Sequence, residues 1–193
     1  MFTQSMDAPE DTRSRIKAAA LALCVSKGAS ETTVRDLARA AGIAEGTLYR
    51  HYPSKEALIA ELFRENYTEF GRRMERVALS EPTASARLCA IVRQEFALFD
   101  REPTLYRFLL LMQSEALPRI PAEVFGPVHV ARAILASGIE AGEIGLRDVD
   151  LGASIFLGFL VQPALSVVHG GLEAPLSRHA DAVCAALTRA LAS

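Results

Sequence analysis

The chain reads as an all-α protein in two parts, a three-helix N-terminal domain and a larger helical body. Three observations predict this. Half of the 193 residues are hydrophobic and mean hydropathy is +0.18, enough to build a real core. Strand-type alternation and hairpin dipeptides such as Asn-Gly are absent. Apolar residues instead recur at three- and four-residue spacing, the period of a helix with one buried face. The expected organisation is a flexible lead-in over 1–11, a first domain over 12–57 and a body over 58–193. The first ten residues carry no apolar run, so no secretory signal is read there.

Thr12 can cap the first helix, which Ile16, Ala19, Ala20 and Leu23 give an apolar stripe and Gly28 ends. Thr33 and Asp36 are spaced as a capping-box-like pair, and Val34, Leu37, Ala38 and Ala41 line one face of the helix they open. Gly42 stops that helix, because glycine takes positive φ at no steric cost. A short helix follows over about Glu45 to Tyr52, closed by Pro53, with Leu48 and Tyr52 on its buried side. Ser54 can cap a long helix from Lys55 to about Ala78, which Glu81-Pro82 breaks. Further helices are predicted over about 83–100, 104–116, 122–141, 149–169 and from near Pro175 to Leu191. Pro163 should kink or interrupt the second-last of these.

Two short helices joined by a tight glycine turn form a helix-turn-helix, whose second helix can lie in a DNA major groove. The literal string over this stretch is more specific than the pattern. Gly42-Ile43-Ala44, Gly46-Thr47-Leu48-Tyr49-Arg50-His51-Tyr52 and Pro53-Ser54-Lys55-Glu56-Ala57-Leu58 closely resemble the DNA-binding domain of TetR-family transcriptional repressors. The resemblance covers about residues 12–60. It implies an all-α dimer with an N-terminal reading head and a C-terminal body that binds ligand and dimerises.

Net charge is −2, but residues 11–60 carry 8 Lys or Arg against 5 acidic residues, while 61–193 carry 13 against 16. The positive charge therefore sits on the helix-turn-helix segment. Tyr49 matches a family position that contacts phosphate, with a packed aromatic as the alternative; His51, Lys55 and Thr33 are expected to join it on phosphate, with capping as the alternative for His51 and a hydroxyl split between cap and phosphate for Thr33. The first turn of the helix begun by Lys55 also offers free backbone N–H groups to a phosphate. Arg35 matches a base-reading position, Glu45 can accept from cytosine N4, and Thr47 can meet a thymine methyl or a phosphate. Gly46 lets the helix approach the groove closely. Arg13, Arg15 and Lys17, at the start of the first helix, are either a solvated face or backbone contacts.

The body is rich in large apolar side chains, and the resemblance implies a pocket among them. Phe63, Tyr67, Phe70 and Met74 on the long helix are its expected lining. Phe96, Phe99, Tyr106, Met112, Phe125 and Phe159 add to it, with His129 and Gln162 as its polar groups. Each aromatic can equally be plain core. The run 151–168 is uncharged and just long enough to cross a membrane, but Gln162, Pro163 and two glycines favour a helix buried at a subunit interface. A homodimer through the last two helices is therefore expected, with Phe156, Leu160, Val183 and Leu187 at its interface and no membrane partner.

The four histidines are scattered, and no HExxH, GxSxG or glycine-rich phosphate loop occurs, so neither catalytic nor metal-binding residues are assigned and no cofactor is expected. Cys24, Cys89 and Cys184 lack CxxC spacing and read as reduced core residues of a cytoplasmic protein. The sequence thus predicts a one-component transcriptional regulator, a repressor that binds a palindromic DNA operator and is released by a small, mostly apolar effector. The alternative is an all-α ligand-binding or adaptor protein whose helix-turn-helix is only scaffold.

Overall fold

The computed structural model describes residues 11–192, and these form helices and loops with no strand among them. They fall into two compact units, divided between Phe63 and Arg64. The expected lead-in lies outside the described residues except for Asp11, which stands as the N-cap of α1 (Thr12–Lys27).

In the first unit α1 packs on α2 (Val34–Ala41), and α2 on α3 (Glu45–His51). The core is small and closed. Ile16, Ala20, Leu37, Leu48, Tyr52 and Leu58 are at most 1% exposed. The first two turns of α4 (Lys55–Ala78) belong here, with Leu58 and Leu62 buried and Glu61 2.5 Å from Arg13.

The second unit is built on α5 (Ala84–Arg101), which packs against α7 (Pro127–Glu140), α8 (Val149–Val168), α9 (Ala180–Leu191) and α6 (Pro103–Ala116). Thr83 caps α5 by accepting from the Ala86 N–H at 3.2 Å, and Asp148 caps α8 by accepting from the Asp150 and Leu151 N–H groups at 3.0 Å each. The Asp100 carboxylate accepts from Leu176 and Ser177 N–H groups at 2.7 and 2.9 Å, tying the end of α5 to the 3₁₀ turn before α9.

Three boundaries differ from the sequence reading. Helix α7 begins at Pro127 rather than near Ala122. The reason is a close approach at Gly126, where an added Cβ would lie 2.0 Å from the Tyr67 ring and one on Gly71 would lie 2.7 Å from the Gly126 backbone. The chain is pinned there in extended form and turns helical only afterwards. Helix α8 runs through Pro163 without interruption. Pro163 itself lines an open groove. The last helix starts as a 3₁₀ turn, Leu176–His179, and becomes α-helical at Ala180.

Candidate functional site

The reading head is assembled by local rules. Thr33 and Asp36 form a true capping box: the Asp36 N–H donates to Thr33 Oγ1 at 3.1 Å and the Thr33 N–H to Asp36 Oδ2 at 3.1 Å. Lys27 Nζ lies 2.5 Å from the same carboxylate. These partners hold the Asp36 carboxyl well below the usual carboxylate range, the lysine contact most of all. At the other end of α2, Gly42 is left-handed with φ 63°, and its N–H donates to the Ala38 and Arg39 carbonyls. Arg15 reaches across from α1 and donates to the Ala41 carbonyl and, at 3.0 Å, to the Gly42 carbonyl.

The turn thus locked sets α3 with Leu48 and Tyr52 inward, at 0% and 1% exposure. Glu45, Gly46, Tyr49 and Arg50 are left exposed, with Thr47 and His51 half-buried beside them. Tyr49 is 53% exposed, too much for a packing role. Arg50 donates to Thr47 Oγ1 at 2.9 Å, so these two side chains present one polar surface. Arg35 is exposed on α2.

Two expected phosphate groups already have protein partners. The Thr33 hydroxyl donates to Asp36 at 2.8 Å besides accepting from its N–H. Lys55 Nζ donates to the Ala29 carbonyl at 2.9 Å, and its side chain is only 18% exposed. The N-terminal cationic cluster is likewise engaged within the unit. Arg13 pairs with Glu61 and stacks over Tyr52 with its cationic carbon 5.1 Å from the ring centre, and Lys17 lies 3.7 Å from Glu61.

In the second unit the expected ligand-lining residues divide. Met74, Phe96, Phe99 and Tyr106 lie in the core, and Phe70, Phe125 and Phe159 pack partly buried against it. Met112 is half-buried on α6. Phe63 ends the first unit and is 2% exposed. Tyr67 is spent on the close approach at Gly126. His129 is not a pocket group: its Nδ1 accepts from the Gly126 N–H at 3.3 Å, which leaves Nε2 to donate to the Ala122 carbonyl at 3.1 Å. Both ring nitrogens therefore staple the loop before α7. Gln162 lies not with the core aromatics but, beside Phe159, in an open groove of about 700 Å³ between α8 and α9.

The interface residues divide too. Phe156, Leu160 and Leu187 are 0%, 5% and 1% exposed and pack within the chain's own core. Val183 lines the groove with Phe159, Ile155, Ala182 and Ala186. Helix α8 is apolar on both sides of the stripe Ser154, Gly158, Gln162 and Ser166, and periodicity alone does not reveal which apolar side faces inward.

Two partners of Tyr106, Glu95 and Arg73, escaped the sequence reading. Glu95 of α5 is 3% exposed. It accepts from the Tyr106 hydroxyl of α6, and its Oε2 lies 3.7 Å from Arg73 Nη2 of α4, which also donates to Tyr106 Oη at 3.2 Å. Burial pushes the Glu95 carboxyl above the usual carboxylate range, against the pull of Tyr106 and Arg73. The signal was available: Glu95 sits seven residues after Leu88, on the face that Ile91, Val92, Phe96 and Phe99 make apolar.

Comparison with known proteins follows the same division. The model of the bacterial regulatory proteins of the tetR family matches residues 16–62. The fatty acid metabolism regulator protein of Bacillus subtilis is 32% identical over 146 residues, covering 72% of this chain and 75% of that protein. The HTH-type transcriptional repressor KstR2 of Rhodococcus jostii is 33% identical over 184 residues, 81% of this chain and 88% of that one. The crystal structure of FadR from Bacillus subtilis in complex with stearoyl-CoA superposes with a TM-score of 0.76 at 26% identity, covering 90% of this chain and 96% of that one.

Proposed function

The chain belongs to the tetR family of bacterial regulatory proteins, and on that premise we propose how this transcriptional regulator works: as a cytoplasmic, dimeric repressor that a small, mostly apolar effector releases from a palindromic operator. One observation carries the reading. Helix α3 buries Leu48 and Tyr52 completely while Glu45, Gly46, Tyr49 and Arg50 stay exposed, an arrangement suited to a helix that enters a groove. A helix serving only as scaffold has no use for a half-exposed tyrosine beside an exposed arginine.

Tyr49, His51 and Lys55, with the Thr33 hydroxyl, position the head on phosphates, and Arg35, Glu45 and Thr47 read base edges while Gly46 admits close approach. Lys55 serves phosphate by exchanging the Ala29 carbonyl for a stronger, charged acceptor. Dimerisation uses the groove side of α8 and α9. On that side Ile155, Phe159, Pro163 and Val183 are only half-buried by their own chain, which suits the docking of a second copy there. The interface therefore centres on Phe159 and Val183 rather than on Phe156, Leu160 and Leu187.

The effector enters the aromatic core of the body. A related regulator's complex with stearoyl-CoA makes a fatty acyl compound the first candidate. Coupling runs through α4, one continuous helix that starts at Lys55 in the first unit and reaches Ala78 in the second. An effector that shifts α4 moves its first turn and the adjoining reading helix, and half-site spacing on DNA tolerates little of that. Linkage requires DNA to weaken effector binding by the same factor, typically about 5–150-fold. Titration of lauroyl-CoA with and without bound DNA tests this: unequal affinities are expected, and equal ones overturn the release mechanism.

A further inference from the structure

The cluster of Arg73, Glu95 and Tyr106 brings together one side chain each from α4, α5 and α6. Aromatic rings surround it. The Arg73 guanidinium carbon sits 5.6 Å from the centre of the Phe70 ring, and Phe70 and Phe99 each meet Tyr106 edge-on with centres 6.0 Å apart. Two of its polar atoms are left over. Glu95 Oε1 and Arg73 Nε are both buried and have no hydrogen-bond partner.

A buried donor or acceptor left unmade costs the full desolvation of that group. Apolar residues of the same size would fill the space as well or better, so core packing alone does not account for the cluster. One free donor, Arg73 Nε–H, and one free acceptor, Glu95 Oε1, belong to two residues that both contact the Tyr106 hydroxyl. That is the complement of a carboxyl or amide group, which offers an acceptor oxygen and a donor hydrogen from one carbon.

We propose that Arg73, Glu95 and Tyr106 form the polar anchor of the effector site, and that this anchor takes the carbonyl end of an apolar-chain molecule, a fatty acyl group carried as an acid, amide or thioester. The proposal rests on the reading above that an effector enters the body. Arg73 Nε–H donates to the acyl oxygen. Glu95 Oε1 accepts from an amide N–H, or from an acid only while that acid keeps its proton. A thioester has no such donor and fills only the Arg73 half. Because Arg73 lies on α4, a ligand held here acts on the helix that begins at the reading head.

The test uses the full chain and three probes that share one chain and differ in the head: lauric acid, lauramide and lauroyl-CoA. Their affinities are measured by titration calorimetry for the wild type and for an apolar variant carrying Arg73→Met, Glu95→Leu and Tyr106→Phe. This variant keeps the core filled, and its thermal melt and helical signal report whether it folds. At neutral pH, where lauric acid is ionised and brings no donor, the wild type is expected to bind the amide tighter than the thioester through this anchor. The apolar variant is expected to lose about tenfold or more for the amide and to flatten the preference among heads. If the apolar variant fails to fold, Tyr106→Phe alone carries the test and is expected to shift the amide-to-thioester ratio several-fold. Unchanged affinities and preferences in the folded variant overturn the anchor, while release of DNA by the same probes would leave the repressor mechanism standing. No binding of any probe to the wild type overturns the assigned ligand class.

Discussion

Phe156 and Phe159 are three residues apart on α8 and have opposite consequences when charged. Phe156 is fully buried in the chain's own core, whereas Phe159 is partly exposed and lines the groove with Val183. Truncating a buried phenylalanine costs about 3–5 kcal/mol, and a carboxylate left without a partner there adds several more. The sum reaches the whole stability of a typical domain, about 5–15 kcal/mol. Phe156→Asp should therefore abolish folding rather than produce a monomer. Phe159→Asp loses only partial burial, on the order of 1 kcal/mol, and places its charge where a second copy must dock. It should give a folded monomer that no longer holds a two-fold operator. Far-UV circular dichroism reports folding, and multi-angle light scattering reports mass. A folded, soluble Phe156→Asp monomer would refute the packing, and a Phe159→Asp variant that stays dimeric would refute the interface.

Arg35→Ala should relax preference at one base position, by roughly 1–3 kcal/mol, whereas Lys55→Ala should weaken binding to all sequences alike and flatten its salt dependence; competition titrations on mismatched duplexes separate the two. Gly42→Ala should cost about 1–2 kcal/mol, because φ of 63° penalises a Cβ, with a further small cost as the Arg15 guanidinium 2.7 Å away moves aside; chemical denaturation measures it. Thr33→Ala should cost about 1 kcal/mol through the lost cap, read the same way. Glu95 holds its proton in the folded state at pH values where the unfolded chain releases it, so stability should fall as pH rises from the ordinary carboxylate range through the raised value. Glu95→Gln should remove that slope from melting temperatures measured across pH, and an unchanged slope would place the titration elsewhere.

The reading head was legible because its geometry is local. The Thr33–Asp36 box, Gly42 at the turn and Leu48 with Tyr52 inward are all spacing rules within one turn or two, and all are present. The body was legible as helices but less so as surfaces. Helix α8 is apolar on both sides of its stripe of Ser154, Gly158, Gln162 and Ser166, so its sequence could not distinguish Phe156, which faces the core, from Phe159, which faces the groove. Long-range contacts decided the rest. His129 is used up by Gly126 and Ala122, Arg15 caps α2 from another helix, and Gly126 delays α7 because Tyr67 stands against it. Glu95 was visible as a charge on an apolar face, but Arg73 and Tyr106 reach it only through the fold.

Selection of duplexes from a random-sequence pool by the purified chain tests the central claim most directly. Sequencing the retained fraction should reveal a two-fold symmetric site with half-sites about one helical turn, or a multiple of one, apart. Its affinity should fall steeply as salt rises. A retained pool no different from the starting one, or a single half-site without symmetry, would contradict a dimeric, sequence-reading repressor.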